Sequence, residues 1–310
     1  MVKIAFAKDF SDPAQIATRS SFIVPGGRRS TLKGNTVKRL IASALASAAV
    51  LGYAGVANAQ EFQGPYVGGF VGYGFQPDDD DETIEFDTDL DGQFGDTVNT
   101  TAPANAFSPG FCGGRANGPT PAAGCDDDSD GVDYGIRGGY DWRFGNWVVG
   151  ALGELSWTDI DDSVSAFSTT PARYTMTREL DYLASARVRG GYVFSNLLFY
   201  GTAGLAWGEV ENSFSTSNGV NTFVERGDSN VDGYQLGLGS EWAIAPRWRI
   251  GAEYLYTNLE DGDYRVRAQG PAPATNPFIL VNPAGTDFRR SDDEFEFDSV
   301  RLTLSYAFGG

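Results

Sequence analysis

Asp87-Thr88-Asp89-Leu90-Asp91-Gly92 sets three carboxylates at alternate positions ahead of a glycine, and Asp126, Asp128, Asp130 and Gly131 repeat that spacing. Alternate carboxylates before a glycine turn can converge on one hard cation, calcium being the one this spacing suits. Both runs lack the glutamate that closes a calcium loop at its twelfth position; Val98 and Arg137 stand there instead. The competing reading is a pair of solvated acidic loops. Cys112 and Cys125 are the sole cysteines. In an oxidising compartment such a pair forms a disulfide, and two thiols without histidine make a poor zinc site. The chain has no histidine at all, which removes the usual proton-transfer group of a hydrolase. An acidic pair, Asp133 with Asp181, is the one carboxylate substitute on offer, so no enzymatic activity is expected. Arg226-Gly227-Asp228-Ser229 matches a cell-adhesion tripeptide, a coincidence expected in a chain this rich in Gly and Asp.

A second set of charges is more telling. Arg137, Glu154, Arg187, Arg189, Glu253 and Arg301 lie at similar distances from short turns, and Glu241 and Arg249 flank the Ala245-Pro246 turn. Each sits on the polar side of an alternating segment. Ionisable groups at membrane depth must face inward and find partners. The expectation is an ion-pair network filling the lumen of a barrel. The alternative is a narrow, weakly anion-selective channel, because the central group counts four Arg to two Glu. Two arginines without a match imply trapped water or a loop carboxylate.

The elements that position these charges are strands. In GVDYGIRGGYDWRFGNWVVGALGELSW, residues 131–157, one face carries Val132, Tyr134, Ile136, Tyr140 and Trp142, and the other Asp133, Arg137, Asp141 and Arg143. The alternation resumes after Phe144-Gly145-Asn146. A period of two is the strand period, and a short turn between two such runs makes a hairpin. One face is apolar with aromatics at its ends, while the other is small and charged. Strands of about ten residues, apolar outward and polar inward, are what a transmembrane β-barrel requires.

Six further strands along the chain follow that pattern. Strands are expected over 64–75, 131–144, 147–157, 178–194, 197–209, 230–242, 247–259 and 295–308. The long connections are 76–131, 158–177, 210–229 and 260–294; they alternate with short turns. A strand extension is expected at 83–86, and Phe278–Val281 reads as loop packing rather than a ninth strand. Trp142, Trp147, Tyr192, Trp242, Trp248 and Phe308 lie beside the short turns. Tyr134, Trp157, Trp207 and Tyr256 lie beside the long loops, giving two interfacial belts. The fold class is therefore all-β: an eight-stranded antiparallel transmembrane β-barrel with long acidic extracellular loops and short periplasmic turns.

The first 59 residues read as a leader. Val37-Lys38-Arg39 precedes an apolar run, Leu40 to Val56, and then Ala57-Asn58-Ala59. That is the layout of a secretory signal peptide cleaved after Ala59, with a true start near Val37. The barrel domain is then 60–310. The leader takes 8 of the 23 basic and 2 of the 41 acidic residues, leaving 15 and 39, a net of −24. All fifteen are Arg. Such a chain will not bind nucleic acid by neutralising phosphate. Its destination is the outer membrane of a Gram-negative cell.

The stretches GPYVGGFVGYGF, DYLASARVRGGYVFSNLLFYGTAGLAWG, WRIGAEYLYTNL and RLTLSYAF resemble the small porin-like outer-membrane barrels of alphaproteobacterial immunogenic outer-membrane proteins, similar in architecture to the OmpA membrane domain and the opacity proteins. The resemblance covers most strand residues and little of the loops. That family ends on a terminal aromatic read by the barrel-assembly machinery, whereas here Gly309-Gly310 follow Phe308. It implies a monomer in contact with outer-membrane lipid and lipopolysaccharide, serving membrane integrity and acting as a surface antigen. No cofactor is expected beyond calcium in the loops. A small-solute porin, or an adhesin working through its loops, are the alternatives.

Overall fold

The computed structural model describes residues 61–76 and 81–308. The leader, its cleavage site and Gly309-Gly310 lie outside the described residues. Eight strands run up and down: β1 (Gly64–Phe75), β2 (Gly131–Phe144), β3 (Trp147–Thr158), β4 (Ala172–Phe194), β5 (Leu197–Thr216), β6 (Asn230–Ala245), β7 (Trp248–Glu260) and β8 (Glu294–Ala307). Each pairs antiparallel with its neighbours in sequence, and β8 pairs back onto β1, Val71 opposite Leu302. Closure leaves the barrel without an edge, as a sheet surrounded by hydrocarbon needs.

The alternation holds around the ring. Ile136 is 61% and Leu238 69% exposed, while Arg137 and Gln235 on the inner face are buried. Tyr66 and Phe70 turn in, and Val67 and Tyr73 turn out. The inner surface is crowded, so glycine is required where backbones and long side chains meet. A Cβ at Gly150 would strike the Asp141 carboxylate and come within 3.2 Å of Arg189 Cγ; one at Gly204 would meet Arg187 Cγ at 2.7 Å.

One strand departs from strict alternation. β4 pairs with β5 through Tyr182 opposite Glu209 and then Leu180 opposite Val210, so Asp181 is an extra residue in the ladder. The bulge flips the facing of everything beyond it. Leu180, in step with the outward-facing Tyr182 along the sequence, is buried inside, and Asp181 is exposed. An inward Asp133–Asp181 acid pair is therefore absent.

The long connections are folded. β4 and β5 overshoot the barrel, their paired extension reaching Tyr174 opposite Thr216. A strand over Asp161–Ser168 pairs with the β4 extension, and another over Gly110–Gly113 pairs with that. Facing them is a separate four-stranded sheet ordered Thr222–Arg226, Arg265–Gln269, Thr286–Arg290, Ile84–Asp87. Phe86, Phe107, Tyr174, Phe278 and Phe288 pack between the two layers with Val164, Met176 and Val266. The Phe86 and Phe107 ring centroids are 4.4 Å apart, and Phe278 and Phe288 5.3 Å. Burying each such ring contributes on the order of 2–3 kcal/mol. This cap has its own core, and Phe278 is part of it, seated on the short turn Pro277–Ile279.

Candidate functional site

The lumen is stacked in layers. At the short-turn end, Phe62 folds under the barrel and packs with Val148, Val193, Leu198 and Ala243. Phe62 is fully buried and has a positive φ of 59°, which lets the chain double back just before β1 begins. At the other end, Ile160, Leu180, Leu183, Val231, Leu259, Phe295 and Phe297 form a second apolar layer. Between these two lies the charge.

Strand alternation delivers Arg137, Glu154, Arg187, Arg189, Glu241, Arg249, Glu253 and Arg301 to this middle layer, all of them buried. Arg187 donates to Glu154 at 2.6 Å and to Glu253 at 3.1 Å. Arg301 donates to Glu154 and to Asp133. Arg189 donates twice to Asp141, at 2.9 and 2.7 Å, and to Glu241 at 2.7 Å. Arg249 donates to Asp141 at 2.8 Å. Neutral groups complete the layer: Tyr200 donates to Glu253 at 2.7 Å, and the Arg189 guanidinium stands 4.8 Å from the Tyr66 ring centre and 5.1 Å from that of Tyr200. Cations over aromatic faces are attracted to the ring quadrupole.

Two carboxylates complete the account. Asp133 and Asp141, both on β2, are fully buried and ion-paired. Five arginines thus face five carboxylates, and the layer is neutral. The arginine excess expected from the central group disappears, and with it the basis for anion selectivity. Sequence reasoning set both residues on the polar face but did not pair them. Their partners lie 168 and 48 residues away, and only the depth at which each strand crosses the barrel brings them together. Phe62 carried no periodic signal because it precedes the first strand.

Arg137 is the exception within the layer. Its guanidinium is 3.6 Å from Glu253 and 3.8 Å from Glu241, and none of its three nitrogens makes a hydrogen bond.

A second ion cluster joins barrel to cap. Arg290 donates to Glu82 and, at 2.6 Å, to Asp162, and Arg178 donates to Asp162 at 2.6 Å. Asp128 lies beside it, accepting from the Ser163 amide at 2.7 Å. Burial, with Asp162 close by, pushes the Asp128 carboxyl up to about 7. Burial likewise raises Glu82 and Asp261, whereas Asp162, although also desolvated, is held low by its two arginines.

The acidic runs in the cap behave differently from each other. Asp87 accepts from the amides of Leu90, Asp91 and Gly92, closing its own loop. Asp87, Asp89 and Asp96 offer oxygens within 4.8 Å of one another. Asp91 instead accepts from the amide and side chain of Gln93. Asp126, Asp128 and Asp130 are parcelled out to Asn117, Ser163 and Tyr73, and do not converge. Cys112 and Cys125 are bonded, closing the segment behind the Gly110–Gly113 strand.

Comparison with known proteins accords with this architecture. The model of the outer membrane protein beta-barrel domain matches residues 41–308. The 31 kDa outer-membrane immunogenic protein of Brucella melitensis biotype 1 is 29% identical over 225 residues, covering 69% of this chain and 85% of the relative. The 22 kDa outer membrane protein of Rhizobium leguminosarum bv. viciae is 31% identical over 140 residues, 44% of this chain and 58% of the relative. Among solved structures, the outer membrane protein OprG from Pseudomonas aeruginosa aligns with a TM-score of 0.45 at 11% identity, over 81% of this chain and all of the other.

Proposed function

The chain belongs to the outer membrane protein beta-barrel domain family, and from that premise we propose that it is a sealed structural barrel presenting its cap at the cell surface. It is an integral outer-membrane protein with a plugged lumen and no catalytic role. One observation carries the reading: a charge-balanced layer of five arginines and five carboxylates, closed above and below by apolar layers. Ions crossing it would have to break buried pairs and then enter two greasy plugs, a path water does not line. The test is conductance of the refolded protein in a planar bilayer. The sealed reading expects a silent membrane at moderate voltage; steady ohmic steps from the unmodified protein would overturn it.

An even strand number puts both ends of the barrel on the short-turn side, the periplasm, and the cap outside. Residues 1–59 then serve as the leader, cleaved after Ala59. Lipid and lipopolysaccharide contact the apolar band, the barrel-assembly machinery inserts the chain, and a barrel with no edge has no need of a partner subunit. Calcium, if bound, takes Asp87, Asp89 and Asp96, and a thermal shift on adding calcium that Asp89→Ala abolishes would be its mark. The likeness to immunogenic proteins supports surface exposure of the cap.

A narrow small-solute pore is the second reading, favoured by the guanidinium of Arg137, which is ion-paired but makes no hydrogen bond. An arginine held by no hydrogen bond is the side chain that could swing between Glu241 and Glu253 as a solute passes. Cross-linking the two plugs would leave a sealed barrel unchanged and block a pore.

A further inference from the structure

The cap contains a gap between two strand edges. β5 pairs with β6 only as far as Glu209 opposite Asn230, but with β4 as far as Thr216. From Val210 onward one side of β5 has no partner strand among the described residues. Across the turn 217–221, Thr222–Arg226 pairs with Arg265–Gln269 on one side alone. The two arms are held together at the top by Phe214 and Phe223, ring centres 5.1 Å apart. Below that contact they diverge into a cleft of about 400 Å³.

The direction of the free backbone groups can be read from the bonds at either end. The Val210 amide donates to Ser229 on the open side, while the Ser217 amide donates to Arg173 on the β4 side. Backbone groups alternate sides along a strand. Asn212 and Phe214 therefore turn their N–H and C=O groups to the open side of β5, Asn212 into the cleft and Phe214 at its upper end, a two-residue spacing that an incoming extended chain can match.

The lining sets the sign of that chain. Asp181, Glu209, Glu211, Glu225 and Asp228 surround the cleft with Arg226 as the sole basic residue. None of the five carboxylates is in an ion pair among the described residues. Asp228 is held below its ordinary range by the Asn230 amide and side chain, and Asp181 is turned out by the bulge opposite Glu209. This charge forbids edge-to-edge pairing of two copies, since each would bring the same acids to the seam. It complements an extended segment carrying lysine or arginine at alternate positions.

We propose that this cleft is a docking site for a basic peptide segment, which adds as a strand to the free edge of β5 and sets its cationic side chains among the five carboxylates. Main-chain hydrogen bonds supply affinity in such strand addition and side-chain pockets supply selection. The proposal needs the cap to be outside the membrane and is independent of whether the lumen conducts.

The test uses the full refolded chain in nanodiscs and a fluorescent Lys-Thr-Lys-Thr-Lys-Thr-Lys peptide. Three comparisons accompany it: the same peptide N-methylated on alternate backbone amides, spermine, and the Asp181→Asn/Glu211→Gln protein, whose substituted side chains are exposed and leave the core untouched. Saturable binding is expected, weakened by about tenfold or more by N-methylation and by about tenfold in the double variant. Hydrogen exchange should slow at Asn212 and Phe214 when the peptide is bound. Absence of saturable binding at physiological salt would overturn the proposal. So would equal binding of the methylated peptide, displacement by spermine at equal charge concentration, or protection elsewhere in the cap, each of which makes the attraction ionic or misplaced rather than strand pairing.

Discussion

Arg189 and Asp141 meet side by side, Nε to Oδ1 at 2.9 Å and Nη2 to Oδ2 at 2.7 Å, with both side chains out of contact with solvent. Asp141 also receives Arg249. Replacing it by Asn would leave two buried guanidinium groups facing a neutral amide. Breaking such a pair by removing one partner costs about 3–5 kcal/mol. The expected result for Asp141→Asn is a lowered urea midpoint for the folded barrel, read by heat-modifiable gel migration; an unchanged midpoint would contradict the account of the lumen.

Arg137 predicts a smaller effect. Glu241 retains Arg189, and Glu253 retains Arg187, when the Arg137 charge is removed. Because no hydrogen bond is lost and both glutamates keep another arginine, Arg137→Met should cost less than Arg301→Met, which strands Asp133 and should cost about 3 kcal/mol or more. Measured side by side in the same micelles, the two substitutions must differ in this order.

The cap should unfold separately from the barrel. Phe107 touches Phe86, Tyr174, Phe278 and Phe288 at the centre of the upper core. Phe107→Ala is expected to cost about 3–5 kcal/mol, and to appear as protease cleavage within 81–130 and 260–293 while the membrane-embedded strands stay intact. Simultaneous loss of barrel and cap would show the two cores to be one cooperative unit.

Asp128 gives the cap a dependence on pH. Its carboxyl sits at about 7 when folded, against an ordinary aspartate value near 3.8. Between those values the folded state binds the proton more tightly than the unfolded one, so stability falls as pH rises through that window. Glu82 and Asp261, also raised, act in the same direction; Asp162, lowered, loses its contribution only at more acidic pH. Protease resistance of the cap should be greater at pH 5.5 than at pH 8. Asp128→Asn should flatten that slope, and a variant with the native slope would refute the assignment.

The barrel strands were legible because lipid outside and crowding inside write a period of two into every crossing. Residues such as Ile136 and Arg137 declare their faces one after the other. What alternation does not write is depth, so Asp133 and Asp141 could be put inside without being matched to Arg301 and Arg189. Nor does it write a bulge: Leu180 continues the pattern of Tyr182 and Ala184 in sequence and faces the other way in space. The cap was hidden for a different reason. Phe86, Phe107 and Phe288 come from three distant polar segments, each with an isolated ring, and only their convergence makes a core. The alternate aspartates carried a calcium spacing, yet Asp96, which approaches Asp87 and Asp89, falls outside it.

The upper core of phenylalanines frees the crest of the molecule from the barrel's constraints. The stretches 217–221 and 270–276 are anchored from beneath by Phe223 and Phe278 rather than by the lipid-facing ladder. Foreign sequence grafted there would ride on a preformed platform, raised clear of the bilayer and indifferent to how the strands insert. The same separation leaves those turns free to change in sequence, with the hydrocarbon-spanning part bearing none of the cost.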